Sequence, residues 1–192
     1  MPDVREDDRV ILDIGCGVGQ TLVAMDLDDD RVLVGVDIDH EALAYGRKTF
    51  ASIQYSKCTA EALPLASGLF DLVISRVAVP YTNIPQTINE MYRVLEPGGR
   101  VWFTLHPIKM TRRQWVSALR NFRIKDIIFR TYVLANGLNL HFFGKLLPFP
   151  SNGQYESCQS AKAIRAVLKN AGFENVSVDR GRHFLVTAEK PA

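Results

Sequence analysis

The chain has few cysteines and no long apolar run, and these two features argue against a disulfide-rich, metal-binding or membrane-spanning protein. Its three cysteines, Cys16, Cys58 and Cys158, are an odd number without Cys-x-x-Cys spacing, so we expect neither a disulfide framework nor a metal site. No uninterrupted apolar stretch approaches the roughly 20 residues of a membrane-spanning helix. The first nine residues are acidic and polar, unlike a secretory leader. A reducing, cytoplasmic location is therefore expected.

Net charge is also small, at +2 over 192 residues, but it is unevenly distributed. Between Pro107 and Pro150 there are eight basic residues and one acidic residue, a net +7. Such asymmetry indicates a region with its own role. The length and the 47% hydrophobic content suit one globular domain over residues 1–192.

Short apolar runs alternate with helical patterns through the first hundred residues. Strands are predicted at 10–14, 32–37, 53–57, 70–75 and 101–105, and two more at 176–179 and 184–188. This order predicts an α/β, doubly wound (Rossmann-like) fold with a mostly parallel seven-stranded sheet. The last two strands are expected to form a terminal antiparallel hairpin at one sheet edge. Residues 107–158 interrupt the alternation and are expected to form a helical, basic and apolar insert after the fifth strand.

Capping residues and breakers predict where the helices begin and end. Asp39 is suited to cap the helix that follows the second strand, and Gly172 to close the last helix. Pro97-Gly98-Gly99 predicts a turn before the fifth strand. Helices are expected at about 20–27, 40–50, 85–95 and 160–170, and within the insert at about 115–122 and 126–134.

Three glycines follow the first strand, at positions 15, 17 and 19. A dinucleotide fingerprint would need glycine at position 20, where this chain has Gln20, so the spacing argues against a nicotinamide site. The alternative is a tight turn that only packs a helix on a strand. Asp37 ends the second strand, where a carboxylate can accept both hydroxyls of a ribose. An acid that simply faces water is the alternative for Asp37.

Five motifs in order carry a family resemblance: residues 10–19, 34–38, 60–65, 70–75 and 93–99. With them the chain resembles the class I S-adenosylmethionine (SAM)-dependent methyltransferases, in the group that includes the ubiquinone and menaquinone methyltransferases. The resemblance is close over residues 9–105 and looser over 159–189. It implies SAM as cofactor and S-adenosylhomocysteine as product, and it leaves the acceptor open.

The resemblance also implies roles for individual residues around the cofactor. Asp13 would accept the ammonium of the methionine end, Asp37 would hold the ribose, and Ile38 would pack on adenine. The glycine loop, with Gly15, Cys16, Gly17 and Gly19, would run along the cofactor.

Departures from the family pattern affect the adenine end and the cover of the site. Thr59 stands where the family usually has an acid, so adenine recognition would use the backbone near Ala60 or the side chain of Glu61; a solvated helix residue is the alternative for Glu61. Ser75 and Arg76 would border the sulfonium. Relatives usually carry helices before the first strand, so here the insert or a second copy in a homodimer would cover the cofactor.

Three residues are candidates for a general base, if the acceptor needs one, and the weakest of them is His141 in the insert. His106 ends the fifth strand beside the expected methyl site, and Tyr81 follows the fourth strand. A structural role is the alternative for His106, and lining the pocket is the alternative for Tyr81.

The role of the insert affects which acceptor the protein would methylate. It is interpreted as a lid that packs on the sheet, as a cover over a small apolar or anionic acceptor, or as a contact with an anionic membrane surface. Nucleic acid ranks last, because no recognition motif accompanies the basic residues. The leading hypothesis is a methyltransferase for a small molecule. The alternatives are a catalytically weak or inactive partner subunit of the same fold and a nucleic-acid methyltransferase that uses the basic insert.

Overall fold

The structure is a computed structural model that describes residues 1–106, 108–181 and 184–192. Its strands are β1 Val10–Ile14, β2 Val32–Asp37, β3 Ile53–Lys57, β4 Phe70–Ser75, β5 Leu95–Leu105, β6 Glu174–Asp179 and β7 Phe184–Glu189. Its helices are α1 Gln20–Ala24, α2 His40–Thr49, α3 Ile84–Val94, α4 Ile108–Arg120, α5 Ile124–Phe143 and α6 Ala161–Ala171. A short 3-10 turn covers Val79–Tyr81.

The seven strands form one sheet in the order β3-β2-β1-β4-β5-β7-β6. Strands β1 to β5 pair in parallel, and β7 pairs antiparallel with both β5 and β6. The predicted fold class and the terminal hairpin are therefore confirmed. The strand order reverses between β1 and β4, and sheets of this kind bind ligands outside the carboxyl ends of the strands at that point.

β5 differs from its prediction because it begins six residues earlier, at Leu95. Leu95 pairs with Phe70 and Arg100 pairs with Leu72, so the Pro-Gly-Gly stretch bulges out opposite Asp71 alone. The predicted turn is therefore an interruption inside one strand. Two backbone hydrogen bonds hold the bulge against Lys190: the N–H of Gly98 donates to the C=O of Lys190, and the N–H of Lys190 donates to the C=O of Gly99.

The helices agree with the predictions in position and differ in length. Asp39 caps α2 by accepting hydrogen bonds from the N–H groups of Glu41 and Ala42 at 2.9 and 3.1 Å. α6 ends at Gly172, whose φ of +102° favours glycine. α1 stops after five residues, whereas α5 runs for twenty. α5 continues through Asn136-Gly137 and ends at Gly144, which adopts a left-handed φ of +65°.

Apolar side chains cover both faces of the sheet. One face packs against α3 and α6, whose buried residues include Ile88, Met91, Ile164 and Leu168. The other face carries a smaller cluster around Leu22. In the insert, α5 reaches the main core through Leu140, and α4 packs on α5. Pro107, where the predicted insert begins, lies outside the described residues.

Candidate functional site

The loop after β1 adopts a conformation that glycine favours. Gly15, Gly17 and Gly19 have φ angles of +75°, +54° and +94°, in the left-handed region where other residues are strained. At Gly15 a side chain is also excluded by space, because an added Cβ would lie 2.2 Å from the Cβ of Ala78. The loop after β4 therefore touches the backbone of the glycine loop.

Asp37 ties the end of β2 to this loop. Its Oδ2 accepts a hydrogen bond from the N–H of Gly17 at 2.8 Å, and its Oδ1 accepts one from the N–H of Asp39 at 2.9 Å. A carboxylate oxygen has two lone-pair sites, so each oxygen can still accept a hydroxyl. Asp37 is thus oriented by backbone donors while it remains able to bind a ribose.

Asp13 has the opposite environment, since its side chain is 1% exposed and neither carboxylate oxygen has a hydrogen-bond partner among the described residues. Burial and, to a smaller extent, the nearby Asp37 raise the pKa of Asp13 to about 7 against the opposing effect of Arg76. An unpartnered buried carboxylate is costly, and a bound cation would relieve that cost. The residue fits the ammonium that the family resemblance places there.

A cavity of about 780 Å³ opens at the carboxyl ends of β1, β2 and β4. This is the location expected for a ligand in a sheet of this topology. Of the predicted site residues, the cavity wall contains Gly15, Asp37, Ile38, Thr59, Ala60, Glu61, Arg76 and Tyr81. The others do not line it: Asp13, Cys16, Gly17, Gly19, Ser75 and His106.

Three of the predicted residues make contacts that hold the fold together. The buried Ser75 hydroxyl donates to the C=O of Ile14 at 2.8 Å and so links β4 to β1. The Cys16 thiol is buried beside Gly35, and burial raises its pKa, so its contribution to a ligand would come from its backbone. Glu61 accepts a hydrogen bond from the N–H of Asn83 at 2.8 Å, where α3 begins. Glu61 is therefore neither free in solvent nor fully available to adenine.

His106 and Tyr81 lie side by side, with ring centroids 5.2 Å apart in an edge-to-face contact. Tyr81 lines the cavity and His106 lies outside its wall. Burial lowers the pKa of His106, while nearby Glu156 raises it and Arg130 lowers it. The lowered pKa favours the neutral imidazole, and its ring contacts Tyr81, which lines the cavity.

The insert contributes to the cavity wall three residues that the sequence did not identify as site residues. Gly153, Gln154 and Tyr155 line the cavity, as does Gln86 from the first turn of α3. The returning chain is held by Asn136 of α5, whose Nδ2 donates to the C=O groups of residues 147 and 156, both at 3.1 Å. No local signal in the sequence identifies Tyr155, because its position depends on this long-range anchoring.

Val77, which also lines the cavity, has a left-handed φ of +71°. This conformation is strained for a β-branched residue, and such strain concentrates at ligand sites. The N–H of Val77 donates to the Thr104 hydroxyl at 3.0 Å, a contact that holds the loop after β4 against β5. Two loops, one from the glycine motif and one strained at Val77, therefore meet at Gly15 and Ala78.

Across the described residues there is no group of His, Cys, Asp and Glu side chains suited to a metal ion. No helix in the described part of the chain is both long enough and apolar enough to cross a membrane.

The known proteins to which this chain is similar are methyltransferases. A family model described as "Methyltransferase domain" matches residues 12–103. Over 178 residues the chain is 28% identical to a malonyl-[acyl-carrier protein] O-methyltransferase of Enterobacter lignolyticus, covering 90% of this chain and 70% of that protein. Over 99 residues it is 37% identical to a demethylmenaquinone methyltransferase of Symbiobacterium thermophilum, covering 47% of this chain and 39% of that protein.

The fold also matches solved structures. A SAM-dependent methyltransferase from Methanosarcina mazei superposes with a TM-score of 0.60 and 22% identity, covering 98% of this chain and 94% of the other.

Proposed function

We propose that the chain, which is similar to SAM-dependent methyltransferases in sequence and in fold, transfers a methyl group from SAM to a small acceptor that is apolar or anionic. This proposal depends on the carboxylate of Asp13, which has no hydrogen-bond partner among the described residues and is buried next to the cavity that Asp37 lines. One acid suits a cationic group and the other suits hydroxyls, and SAM presents both kinds of group.

The remaining wall of the cavity supports the acceptor class. Tyr81, Tyr155 and Val77 supply apolar surface near the loop after β4. Arg76 is the only basic residue in the described part of the wall. Ligand pockets typically combine apolar walls with a few placed polar groups, within about 300–1,000 Å³. A small acceptor with a negative group beside an apolar body fits these surroundings.

For methyl transfer, the main task of the protein is to position the acceptor. The cofactor supplies a methyl group on a sulfonium, already activated for transfer to a nucleophilic atom. The protein then has to orient the acceptor and exclude water, and orientation can contribute roughly 7–11 kcal/mol toward the barrier. For an acceptor that must lose a proton, Tyr81 faces the cavity and the neutral His106 lies behind it, so the pair could receive that proton.

The names of the relatives suggest which acceptors to try first. One acts on a malonyl-[acyl-carrier protein] and the other on demethylmenaquinone. We propose a test with labelled SAM against small carboxylic acids and against reduced hydroxylated rings. Calorimetry with SAM, S-adenosylhomocysteine and NAD should show binding of the first two only. Tight binding of NAD without a response to either SAM compound would contradict the proposal.

Arg76 gives a prediction that separates anionic from neutral acceptors. Arg76→Gln should raise KM for a carboxylate acceptor about tenfold, because a charged hydrogen bond is lost. The kcat for that acceptor and the KM for a neutral acceptor should stay unchanged. The assay should be run at about pH 8.5, above the pKa of Asp13, since Arg76 also influences that group. Lys48→Gln, at an exposed lysine of α2, is the matched control. Equal effects on neutral and anionic acceptors would rule out recognition of the anion by Arg76.

A further inference from the structure

α5 exposes an apolar stripe to solvent. Six residues spaced by four and three along the helix are exposed, and five of them are apolar: Ile124, Ile128, Thr131, Ala135, Leu138 and Phe142. The four large side chains among them are between 58% and 71% exposed. Residues at this spacing share one helix face, and eighteen residues of rise make the stripe about 27 Å long. A surface helix normally turns such a face to the core.

The stripe is not the face that attaches α5 to the protein. Val133, Asn136, Gly137 and Leu140 are buried and hold the helix to the returning chain and the core. The opposite side of the same helix is therefore apolar and exposed to solvent in the described part of the chain. Phe143 and Leu147, 73% and 62% exposed, continue the apolar surface past the end of the helix.

Exposed cations precede and follow the stripe in the sequence. Arg120 and Lys125 lie at its first end and Lys145 just beyond its last, and α4 adds Lys109, Arg112 and Arg113. In the described part of the chain none of these six side chains forms an ion pair. An apolar stripe flanked by basic residues is the composition of a helix that lies in the interface of an anionic membrane.

We propose that the α5 stripe and its flanking cations dock the protein on the surface of an anionic lipid bilayer. A second copy of the chain fits less well, because two inserts of charge +7 would be brought together. Nucleic acid would match the charge but would leave the five apolar side chains unused. The proposal is independent of the acceptor, since binding can be measured without any methyl transfer.

Flotation of the full chain with vesicles tests the proposal. The protein should float with vesicles of phosphatidylcholine and phosphatidylglycerol in equal parts, and much less with phosphatidylcholine alone or at high salt. The triple variant Ile128→Gln, Leu138→Gln, Phe142→Gln should lower the bound-to-free ratio at least about tenfold. Glutamine keeps a good helix propensity, and circular dichroism checks that the variant is folded.

The matched control is Val23→Gln, Tyr45→Gln, Leu69→Gln, which replaces exposed apolar side chains outside the insert. This control should float like the unmodified protein, and SAM binding should be unchanged in both triple variants. Equal flotation of the α5 triple variant and the unmodified protein would overturn the proposal. So would an absence of flotation together with a dimer in light scattering that the α5 substitutions dissociate, since the stripe would then join two copies.

Discussion

At the scale of single residues, the site is organised by two acids in opposite surroundings. Asp37 already accepts two backbone hydrogen bonds and lies in the cavity wall. Asp13 is buried beside that wall without any donor among the described residues. The carboxylate of Asp37, oriented by backbone N–H donors, suits neutral hydroxyls. The carboxylate of Asp13, without such donors in the described part of the chain, suits a cation whose own N–H groups donate to it. The difference predicts different responses to substitution and to pH.

Asp37→Ala should weaken SAM binding by about 10–100-fold, because charged hydrogen bonds to two hydroxyls are lost. His106→Ala should change the SAM Kd less than about twofold, since His106 does not line the cavity. Calorimetry on both variants measures this. Asp37→Asn, which keeps an acceptor for the N–H of Gly17, separates ribose binding from loop anchoring. Equally small losses for Asp37→Ala and His106→Ala would place the cofactor elsewhere.

Asp13 should make both SAM binding and stability depend on pH. Its pKa is raised to about 7 in the folded protein, so SAM affinity should fall as the pH drops below about 7 and the carboxyl becomes neutral. Stability has the opposite sign. The folded protein holds this proton more tightly than the unfolded chain does, so the contribution of Asp13 is fully present below about pH 4 and is lost as the pH rises through about 7.

The variant Asp13→Asn tests both effects. It should lose SAM binding and yet unfold in urea with a free energy about 2 kcal/mol higher than the unmodified protein at about pH 8, because no buried charge has to form. At about pH 5 this gain should shrink, since Asp13 is then largely protonated in the folded state. A gain of the same size at both pH values would mean that the carboxyl does not titrate in this range.

At the scale of secondary-structure elements, the insert performs a task that the sheet does not. The inner face of α5 anchors the chain segment that returns toward α6. Tyr155 of that segment lines the cavity. The outer face of α5 is the apolar stripe. Because one helix presents both surfaces, a change at its inner face should alter the cavity while leaving the stripe in place.

Gly137 gives a test of this anchoring. An added Cβ there would lie 2.4 Å from the C=O oxygen of Cys158 and 2.6 Å from its Sγ. Gly137→Ala should therefore destabilise the protein by about 1–3 kcal/mol despite the better helix propensity of alanine. Urea denaturation measures the change, and KM for the acceptor should rise as well. Leu138→Ala, at the next and exposed position, should stay within about 0.5 kcal/mol; a similar cost at both positions would argue against the close contact.

At the scale of the whole molecule, the ligand site draws on the ends of three parallel strands, on two loops and on the insert. A ligand that binds this folded arrangement and not the unfolded chain must stabilise the entire domain. SAM at about 100 times its Kd should add about 2.7 kcal/mol. For a domain of this size that corresponds to a rise in Tm of about 5–10 °C. Thermal unfolding should show this rise for SAM and none for NAD or for Asp13→Asn with SAM.

Some of these features could be predicted from the sequence because they depend on local rules. Buried parallel strands are short apolar runs, and a glycine loop needs positive φ angles wherever it occurs, so the sheet and the position of the cofactor loop follow from the residues alone. The acid that ends β2 was found in the same way. Even the basic, apolar character of the insert is a property of its composition.

Only the tertiary structure decided what each of these residues touches. It turned Ser75 toward the C=O of Ile14, bound Glu61 to the start of α3 and placed Tyr81 between the cavity and His106. Within residues 1–106, 108–181 and 184–192 it also gave Asp13 no donor and turned one apolar face of α5 to solvent. Contacts of this kind join residues far apart in the chain, and their energies depend on packing and burial that no local pattern encodes.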